Sequence, residues 1–346
     1  SLLNNLHDAL LDNHEALASL LTAEQGKPLF EARGEIAIGA AYIKWFAEEI
    51  RRSKGELIPA PTNDRRLLVT HHPVGVVAAI TPWNFPSSML ARKLGPALAA
   101  GCTVVAKPAT ATPYSGIAWG KLAEEAGFPA GVVNILTGSS QAIGGTIMAS
   151  PTVRKVTFTG STEVGKTLIR QSADTVKKVS MGLGGNAPFI VFNDADIDAA
   201  VEGAMIAKYR NMGQTCVCTN RFYVQADVHD EFVAKLQAAT EAMNIGNGMD
   251  DNVQQGPMID HNAVAKVEEM ITDAVNKGGT VISGGERHNL GKTYFQPTII
   301  TGATADMQFA TDEIFGPLSA IFKFDNDDEA FAAANATEYG LAAYAY

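Results

Sequence analysis

The hydrophobic positions at the start of the chain repeat at helical spacing. The first set consists of Leu2, Leu3, Leu6, Leu10, Leu17 and Leu21. Because residues three, four and seven apart share one face of a helix, this spacing predicts helices that bury one side. Gly26 and Pro28 are typical of a helix end, and a second helical pattern runs from Ile36 to Ile50.

From residue 55 onward, strand patterns become frequent. Residues 55–73 contain two short strand-like runs, one on each side of a turn at Asn63 and Asp64. Four apolar strands follow, each succeeded by a helical pattern, with the sequences VGVVAAI, CTVVAK, VVNIL and RKVTFTG. A second series starts near Ala187, with a helix expected over 195–212 and strands at APFIVF, RFYVQA, GTVISGG, YFQPTII and LSAIFKF. Apolar strands alternating with helices predict parallel sheets wrapped by helices, here in two α/β domains.

The segments after the first four strands are rich in glycine, hydroxyl groups and proline. They read TPWNFP (81–86), PATATP (108–113), TGSS (137–140) and GSTEVG (160–165). In open α/β sheets, ligands bind beyond the carboxyl ends of the strands. We therefore expect these segments to form one rim of a nucleotide site, with simple turns as the alternative.

Composition and charge narrow the class of partners. The 346 residues are 46% hydrophobic and 18% charged, which is typical of a soluble globular protein. A net charge of −10 argues against nucleic acid or an anionic membrane as the main partner. No apolar run reaches the ~20 residues of a membrane span. Three cysteines are too few for a disulfide framework and predict a cytoplasmic location, and the histidine spacing predicts no metal site.

One short motif suggests a different class of protein. GSTEVGKT (160–167) matches the phosphate-binding P-loop pattern, and FIVFND (189–194) resembles a strand that ends in a metal-holding aspartate. In a P-loop ATPase, Lys166 would bind phosphates. The same strand, glycine and helix start also suit the pyrophosphate of a dinucleotide.

Longer stretches of the chain resemble the aldehyde dehydrogenase superfamily, and within it the succinate-semialdehyde dehydrogenases. The matching stretches are ITPWNFPSSMLARKLGPALAAGCTVVAKP, FTGSTEVGK, LGGNAPFIVF, YRNMGQTCVCTNRFYVQ and EIFGPL, in family order. This resemblance makes the P-loop ATPase a remote alternative. It also implies that the family's amino-terminal segment and its carboxyl-terminal part, with a bridging strand, lie outside these residues.

The resemblance implies a fold and a domain organisation. The fold class is α/β, with two parallel-sheet, Rossmann-like domains and part of an oligomerisation hairpin. Residues 1–54 and 74–181 would form the NAD(P)-binding domain, 55–73 the hairpin, and 182–346 the catalytic domain. A homodimer or homotetramer is expected from the hairpin by analogy with the family.

The resemblance also implies a mechanism and its catalytic residues. In the family, a cysteine thiolate attacks the aldehyde, hydride passes to the nicotinamide, and water hydrolyses the resulting thioester. The nucleophile would be Cys216, and the side-chain amide of Asn84 with the backbone N–H of Cys216 would stabilise the oxyanion.

Lys107 resembles the family lysine that reaches the adenosine ribose or its phosphate. Many NAD-preferring relatives carry a glutamate three residues later, where this chain has Thr110. A carboxylate there would repel a 2′-phosphate, whereas a hydroxyl can donate to it. We therefore predict NADP as the cofactor, with NAD as a second one. The other cofactor residues implied by the resemblance are Trp83, Gly160, Ser161, Gly165, Leu183, Glu313 and Phe315.

The substrate prediction depends on two arginines. Arg92 and Arg210 resemble the family pair that binds the distal carboxylate of succinate semialdehyde, with Phe85 beside them. A guanidinium presents a fork of donors that matches a carboxylate. The alternative is that either arginine belongs to an ordinary ion pair. The predicted partner is a small aldehyde that carries a carboxylate.

Cys218 forms a Cys-x-Cys pair with Cys216. The family suggests a redox switch in which a disulfide blocks the nucleophile, although so short a loop strains a disulfide. A small packing residue is the alternative.

The main departure from the family pattern is in SMGLGGN (180–186). The family normally has a glutamate where Gly182 stands, and this carboxylate acts as the general base. Gly184 and Gly185 match the family's turn. We therefore expect binding to persist and thioester hydrolysis to be impaired. The alternatives are a CoA-acylating semialdehyde dehydrogenase and a weakly active, cofactor-binding relative.

Overall fold

A computed structural model describes residues 1–346, which form two compact units. The first unit comprises residues 1–25 and 32–183, and the second comprises 26–31 and 184–346. The assignment of cofactor binding to one domain and catalysis to the other stays a prediction.

Seven helices belong wholly or mainly to the first unit. They are α1 (Leu2–Asp12), α2 (His14–Gln25), α3 (Leu29–Glu49), α4 (Ser88–Ala99), α5 (Pro113–Glu125), α6 (Ser140–Ala149) and α7 (Thr162–Ser172). Helix α2 ends where Gly26 adopts a φ of 99°, a conformation that glycine reaches without steric cost. The leucines at helical spacing are buried at Leu3, Leu6 and Leu10 of α1.

A short two-stranded ribbon follows α3. Strands β1 (Glu56–Ile58) and β2 (Leu67–Val69) pair antiparallel, with Glu56 opposite Val69. All six residues are exposed, including the apolar side chains of Leu57 and Leu68.

The first unit contains a five-stranded parallel sheet. Its strands are β3 (Val76–Ile80), β4 (Thr103–Lys107), β5 (Val133–Ile135), β6 (Val153–Thr159) and β7 (Lys178–Gly182), in the order β5-β4-β3-β6-β7. Because all neighbours run parallel, the segments after these strands lie at one edge of the sheet, as the sequence predicts.

The second unit is a six-stranded sheet with five helices. Its elements are β8 (Ala187–Val191), α8 (Ile197–Tyr209), β9 (Thr219–Gln225), α9 (His229–Glu241), α10 (His261–Asn276), β10 (Thr280–Ser283), β11 (Thr298–Thr301), α11 (Gln308–Thr311), β12 (Leu318–Phe324), α12 (Asp327–Asn335) and β13 (Tyr344–Ala345). The order is β10-β11-β12-β9-β8-β13. Edge strand β10 runs antiparallel to β11, so this sheet is mixed. An antiparallel edge strand is common in otherwise parallel sheets.

Three short 3₁₀ helices complete the secondary structure, at Ile50–Arg52, Ala173–Thr175 and Arg210–Gly213. None of the helices has the length and apolar character needed to cross a bilayer.

Candidate active site

The segment between β3 and α4 holds Asn84 in a buried position, at 5% exposure, between two half-buried aromatic residues. The exit of this segment is fixed by Glu35 of α3. Its carboxylate accepts hydrogen bonds from the N–H groups of Ser87 and Ser88, at 2.9 and 3.0 Å. A negative charge at the first turn of α4 also complements the helix dipole. The sequence did not indicate this role for Glu35.

Lys107 and Thr110 lie close together after β4. The Lys107 ammonium donates to the Pro108 carbonyl at 3.0 Å and to the Thr110 hydroxyl at 3.3 Å. Burial lowers the pKa of Lys107. Thr110 is exposed, so an amine and a hydroxyl converge where the resemblance predicts the adenosine ribose.

The start of α7 brings several predicted cofactor residues together. The Gly160 N–H donates to the Gly182 carbonyl at 3.0 Å, and the Ser161 hydroxyl caps the helix by accepting from the Val164 N–H at 3.4 Å. Gly165 is buried, and a Cβ there would overlap the Leu183 side chain. The glycine therefore allows α7 to pack closely on the end of β7.

This geometry contradicts the P-loop alternative. A P-loop needs an open loop of backbone N–H groups around a phosphate. Here the helix already begins at Thr162, which is inside the motif, so GSTEVG is helical beyond Ser161. Lys166 is exposed on this helix.

Gly182 is the last residue of β7, and its register partner on β6 is Thr159. A Cβ at Gly182 would lie 3.1 Å from the Thr159 hydroxyl oxygen and 3.8 Å from the Phe158 carbonyl oxygen. The backbone does not have a positive φ at this position. Neither the backbone nor severe crowding therefore requires glycine here.

Lys93 of α4 is a buried lysine close to Thr159, and its sequence context did not single it out. Its ammonium donates to the Thr159 hydroxyl at 2.7 Å and to the Thr157 hydroxyl at 3.3 Å. Burial, and to a smaller extent the neighbouring charge of Arg92, lowers the pKa of Lys93 to about 8. The available signal was a lysine on the apolar face of α4, next to Leu94.

Arg92 is exposed on α4 and contacts Tyr42 of α3. Its guanidinium donates to the Tyr42 hydroxyl and lies over the ring, 4.9 Å from the centroid. No carboxylate pairs with it. The tyrosine therefore orients this arginine without neutralising it.

In the second unit, the chain makes a left-handed corner after α8. Asn211 and Met212 have φ values of 54° and 57°, and Gly213 has 72°. The predicted helix over 195–212 is therefore wrong at its end, because α8 stops at Tyr209. The Asn211 N–H donates to the Glu31 carboxylate at 2.9 Å, which helps to hold this costly conformation.

Cys216 follows this corner as a half-buried cysteine before β9, and it forms no disulfide. A Cβ at Gly185 would overlap the carbonyl oxygen of Cys216. Gly185 is therefore required for the backbone of Cys216 to pass close to the β7–β8 turn. This agrees with the structural role predicted for that glycine.

Arg210 lies beside a cleft of about 220 Å³. The lining of this cleft also includes Thr215, Val217, Cys218 and Tyr344. Cys218 is a buried free thiol whose pKa is raised by burial, and its Sγ donates to the Lys208 carbonyl at 3.5 Å. A raised pKa lowers the thiolate fraction, and thiolate is the form that attacks in disulfide exchange.

Lys208 is a second buried lysine. Its ammonium donates to the Thr219 carbonyl at 2.9 Å, and burial lowers its pKa to about 8.

Glu313 accepts a hydrogen bond from the Gly185 N–H at 3.0 Å, and burial raises the pKa of its carboxyl. Phe315 is half-buried with a φ of 53°.

The aldehyde dehydrogenase family matches residues 1–346, and the chain belongs to this family. It is therefore an oxidoreductase of the aldehyde dehydrogenase class. Over 345 residues it is 57% identical to the 3-sulfolactaldehyde dehydrogenase of Pseudomonas putida, covering all of this chain and 71% of that protein. It is 54% identical to the NADP⁺-type succinate-semialdehyde dehydrogenase of Escherichia coli strain K12, covering all of this chain and 72% of that protein.

A solved structure supports the same assignment. The crystal structure of an NADP-dependent enzyme from E. coli superimposes with a TM-score of 0.99 at 54% identity, covering all of this chain and 72% of that one. The predicted family and fold class are confirmed. The roles of individual residues stay predictions. Among them, Asn84 belongs to the first unit and Cys216 to the second.

Proposed function

We propose that this protein oxidises succinate semialdehyde, or a similar short aldehyde with an anionic group, to the acid with NADP. Two relatives act on small aldehydes according to their names, succinate semialdehyde and 3-sulfolactaldehyde. Both of these aldehydes also carry an acidic group. The observation that carries the proposal is the half-buried cysteine Cys216 directly after the left-handed corner, with Arg210 on the same stretch of chain.

Cys216 is the proposed nucleophile. A free cysteine has a pKa near ~8.5, which leaves a usable thiolate fraction near neutral pH. The left-handed corner before it and Gly185 behind its carbonyl fix the backbone, so the thiol starts from a defined position. Attack by the thiolate would form a tetrahedral hemithioacetal whose oxyanion needs N–H donors.

Arg210 is the proposed ligand of the substrate's acidic group. It lies at the rim of the cleft that also contains Thr215 and Val217, the two neighbours of Cys216. A guanidinium binds a carboxylate or a sulfonate through parallel N–H donors. Arg92 and Phe85 stay predicted substrate residues.

The residues around β4 and α7 fit an adenine dinucleotide phosphate. Lys107 and Thr110 offer an ammonium and a hydroxyl to a 2′-phosphate, with no carboxylate at position 110 to repel it. The capped start of α7 offers N–H groups and the positive end of a helix dipole to a pyrophosphate. When bound, NADP would supply the hydride acceptor of the reaction. Thr110→Glu should raise the KM for NADP by about tenfold or more and spare the KM for NAD, because the two like charges repel.

A mass measurement on the intact protein tests the proposal. After the protein is mixed with NADP and succinate semialdehyde, an acyl adduct should accumulate on the peptide that contains Cys216, and a burst of NADPH absorbance should accompany it. Cys216→Ser is the control and should show neither signal. An adduct on another residue, or no burst in the presence of bound NADP, would refute the proposed chemistry.

Gly182 favours a second candidate reaction. Without a carboxylate at this position, hydrolysis of the thioester is expected to be slow, and a thiol such as CoA could remove the acyl group instead. Formation of an acyl-CoA faster than free acid, at equal NADPH yield, would favour this CoA-acylating alternative.

We further propose that the ribbon β1–β2 contributes to a homodimer or homotetramer. Its support is the exposure of five apolar side chains on a ribbon of six residues, because small isolated hairpins are rarely stable. Light scattering after gel filtration should give a mass at least twice 36.6 kDa, and Leu57→Lys should lower it. A monomer at micromolar concentration would contradict this proposal.

A further inference from the structure

The left-handed corner between α8 and β9 separates two residues of the proposed site. Arg210 lies at the start of the corner, and Cys216 follows its end at Gly213. Asn211 and Met212 adopt left-handed conformations in succession, with φ values of 54° and 57°. Residues with a Cβ rarely adopt this conformation, because the Cβ then approaches the following carbonyl oxygen. Two such residues in a row persist only where the surrounding structure holds them.

A carboxylate from far earlier in the chain binds this corner. Both oxygens of Glu31 accept from the Asn211 N–H, at 3.2 and 2.9 Å. Within the corner, the Asn211 side-chain amide donates to the Gln214 carbonyl at 3.2 Å, and the Gln214 amide donates to the Asn211 carbonyl at 3.3 Å. These internal bonds close the turn. The bond to Glu31 fixes the direction of the Asn211 N–H against a residue outside the turn.

The segment that carries this carboxylate, residues 26–31, packs closely on a loop of the same unit. A Cβ at Gly248 would overlap the Lys27 carbonyl oxygen, and a Cβ at Gly256 would overlap the Gly26 carbonyl oxygen. Glycine at these two positions therefore lets the segment and the loop approach backbone to backbone. The carboxylate consequently reaches the corner from a fixed base.

The two ends of the corner meet at one cleft. The cleft of about 220 Å³ beside Arg210 is also lined by Thr215 and Val217, the two neighbours of Cys216. In the proposed reaction, one aldehyde molecule contacts Arg210 through its acidic group and Cys216 through its carbonyl carbon. The conformation of the corner therefore determines how far apart these two contacts are.

We propose that Glu31 is a positioning residue, which sets the separation between the Arg210 guanidinium and the Cys216 thiol and thereby the preference for aldehydes with an acidic group. The inference rests on the proposed function, because it takes Cys216 as the nucleophile and Arg210 as the ligand of that group. Glu31 acts through the backbone N–H of Asn211. A misplacement of about 1 Å between reacting groups can lower a rate by about 10²-fold.

The test measures a ratio of rates, which we call the acid preference. It is the rate of the NADPH burst with succinate semialdehyde divided by that with butanal, at the same subsaturating concentration. Butanal has the same number of carbons and no carboxylate. Glu31→Asp keeps the charge but withdraws it by one methylene, so it should lower the acid preference by about tenfold or more. The rate with butanal should change by less than about threefold, because butanal offers Arg210 no acidic group.

Two further variants separate the reach of the side chain from its charge and from stability. Glu31→Gln keeps an acceptor oxygen at the same reach and should retain the acid preference within about threefold. Glu268→Asp is the matched control, because it shortens a glutamate of the same unit that binds Arg287 at 2.7 and 2.8 Å. It should leave the acid preference unchanged. A loss of folded protein alone lowers both burst rates by one factor, so it does not alter their ratio.

A second measurement needs no cofactor. Alkylation of Cys216 by iodoacetate and by iodoacetamide, followed by mass spectrometry of its peptide, compares an anionic reagent with a neutral one. Arg210 attracts the anionic reagent, and its effect depends on the separation of the two side chains. Glu31→Asp should lower the rate with iodoacetate relative to iodoacetamide by about threefold or more, and Glu31→Gln should not.

The outcomes distinguish this proposal from the proposed function. If the unchanged chain shows an acid preference and Glu31→Asp keeps it within twofold, only the proposal for Glu31 is overturned. An equal loss in Glu31→Gln would assign the effect to charge and would also overturn the positional role. If the unchanged chain forms no NADPH with succinate semialdehyde, or shows no preference over butanal, the proposed function is overturned and this proposal with it.

Discussion

Each of the two units contains a buried lysine and a glycine at the end of or just after β7, and the surroundings of these residues differ. In the first unit, Lys93 bonds to hydroxyl groups, and Gly182 has space for a Cβ. In the second unit, Lys208 bonds to the Thr219 carbonyl, and Gly185 has no space because the Cys216 carbonyl is too close. The region around Gly185 is therefore a fixed support for the backbone of Cys216. The region around Gly182, by contrast, leaves room for a side chain at that position.

The substitution Gly182→Glu tests this difference most strongly. A restored carboxylate should raise steady-state turnover by about 10²–10⁴-fold, which is the usual contribution of general-base catalysis. Thr159 has to move by a few tenths of an ångström to admit the new Cβ, a small adjustment for one side chain. Turnover is measured as NADPH formed per active site after the first turnover. Gly182→Gln is the control of equal size, and an equal gain with glutamine would show that a carboxylate is not the reason.

Alanine substitutions at the two glycines extend the comparison to the stability of the fold. Gly185→Ala places a methyl group against a backbone oxygen, so it should lower the free energy of unfolding by about 1–3 kcal/mol. Gly182→Ala should cost less than about 1 kcal/mol, since only the Thr159 side chain has to adjust. Urea denaturation of the two variants side by side measures both values. Equal losses would mean that the crowding around Gly185 is relieved elsewhere.

The smallest expected effect is the dependence of stability on pH. Both buried lysines have a pKa of about 8 in the folded protein, below the ~10.4 of an unfolded lysine. Between these values the unfolded chain binds more protons than the folded one, so stability should rise with pH. Each lysine should add about 1 kcal/mol between pH 8 and pH 9. Lys93→Met and Lys208→Met should each remove the contribution of one lysine to this rise. Urea titrations at pH 8 and pH 9 measure the free energy of unfolding of each variant. If a variant showed the same increase between the two pH values as the unchanged chain, the lowered pKa of that lysine would be contradicted.

Much of the fold followed from local sequence patterns. The four apolar strands from Val76 to Thr159 alternate with helices, and this pattern alone predicted a parallel sheet and the common edge of its loops. Gly26 correctly indicated the end of helix α2, because glycine adopts a positive φ at little energetic cost. The family match then gave candidate roles to Cys216 and its neighbours.

The features that sequence reasoning missed depend on contacts between distant residues. Lys93 reads as an ordinary helix lysine until α4 packs on β6 and brings it to Thr159, 66 positions later. The left-handed conformations of Asn211 and Met212 have no local signal, because they are held by Glu31 from far earlier in the chain. The antiparallel direction of β10 is likewise set by pairing with β11 and not by its own residues.

The position of Glu31 has a consequence for dissecting this protein into fragments. Residues 26–31 belong to the second unit, although the rest of that unit begins at Gly184. There Gly26 packs against Pro257, and the Leu29 N–H donates to the Gly248 carbonyl at 2.9 Å. A recombinant fragment that starts at residue 184 would lack this hexapeptide, and Asn211 would lose the carboxylate that its N–H group binds. The second unit is therefore not encoded by one continuous stretch of gene, and a faithful fragment would need residues 26–31 supplied as a peptide or fused by a linker.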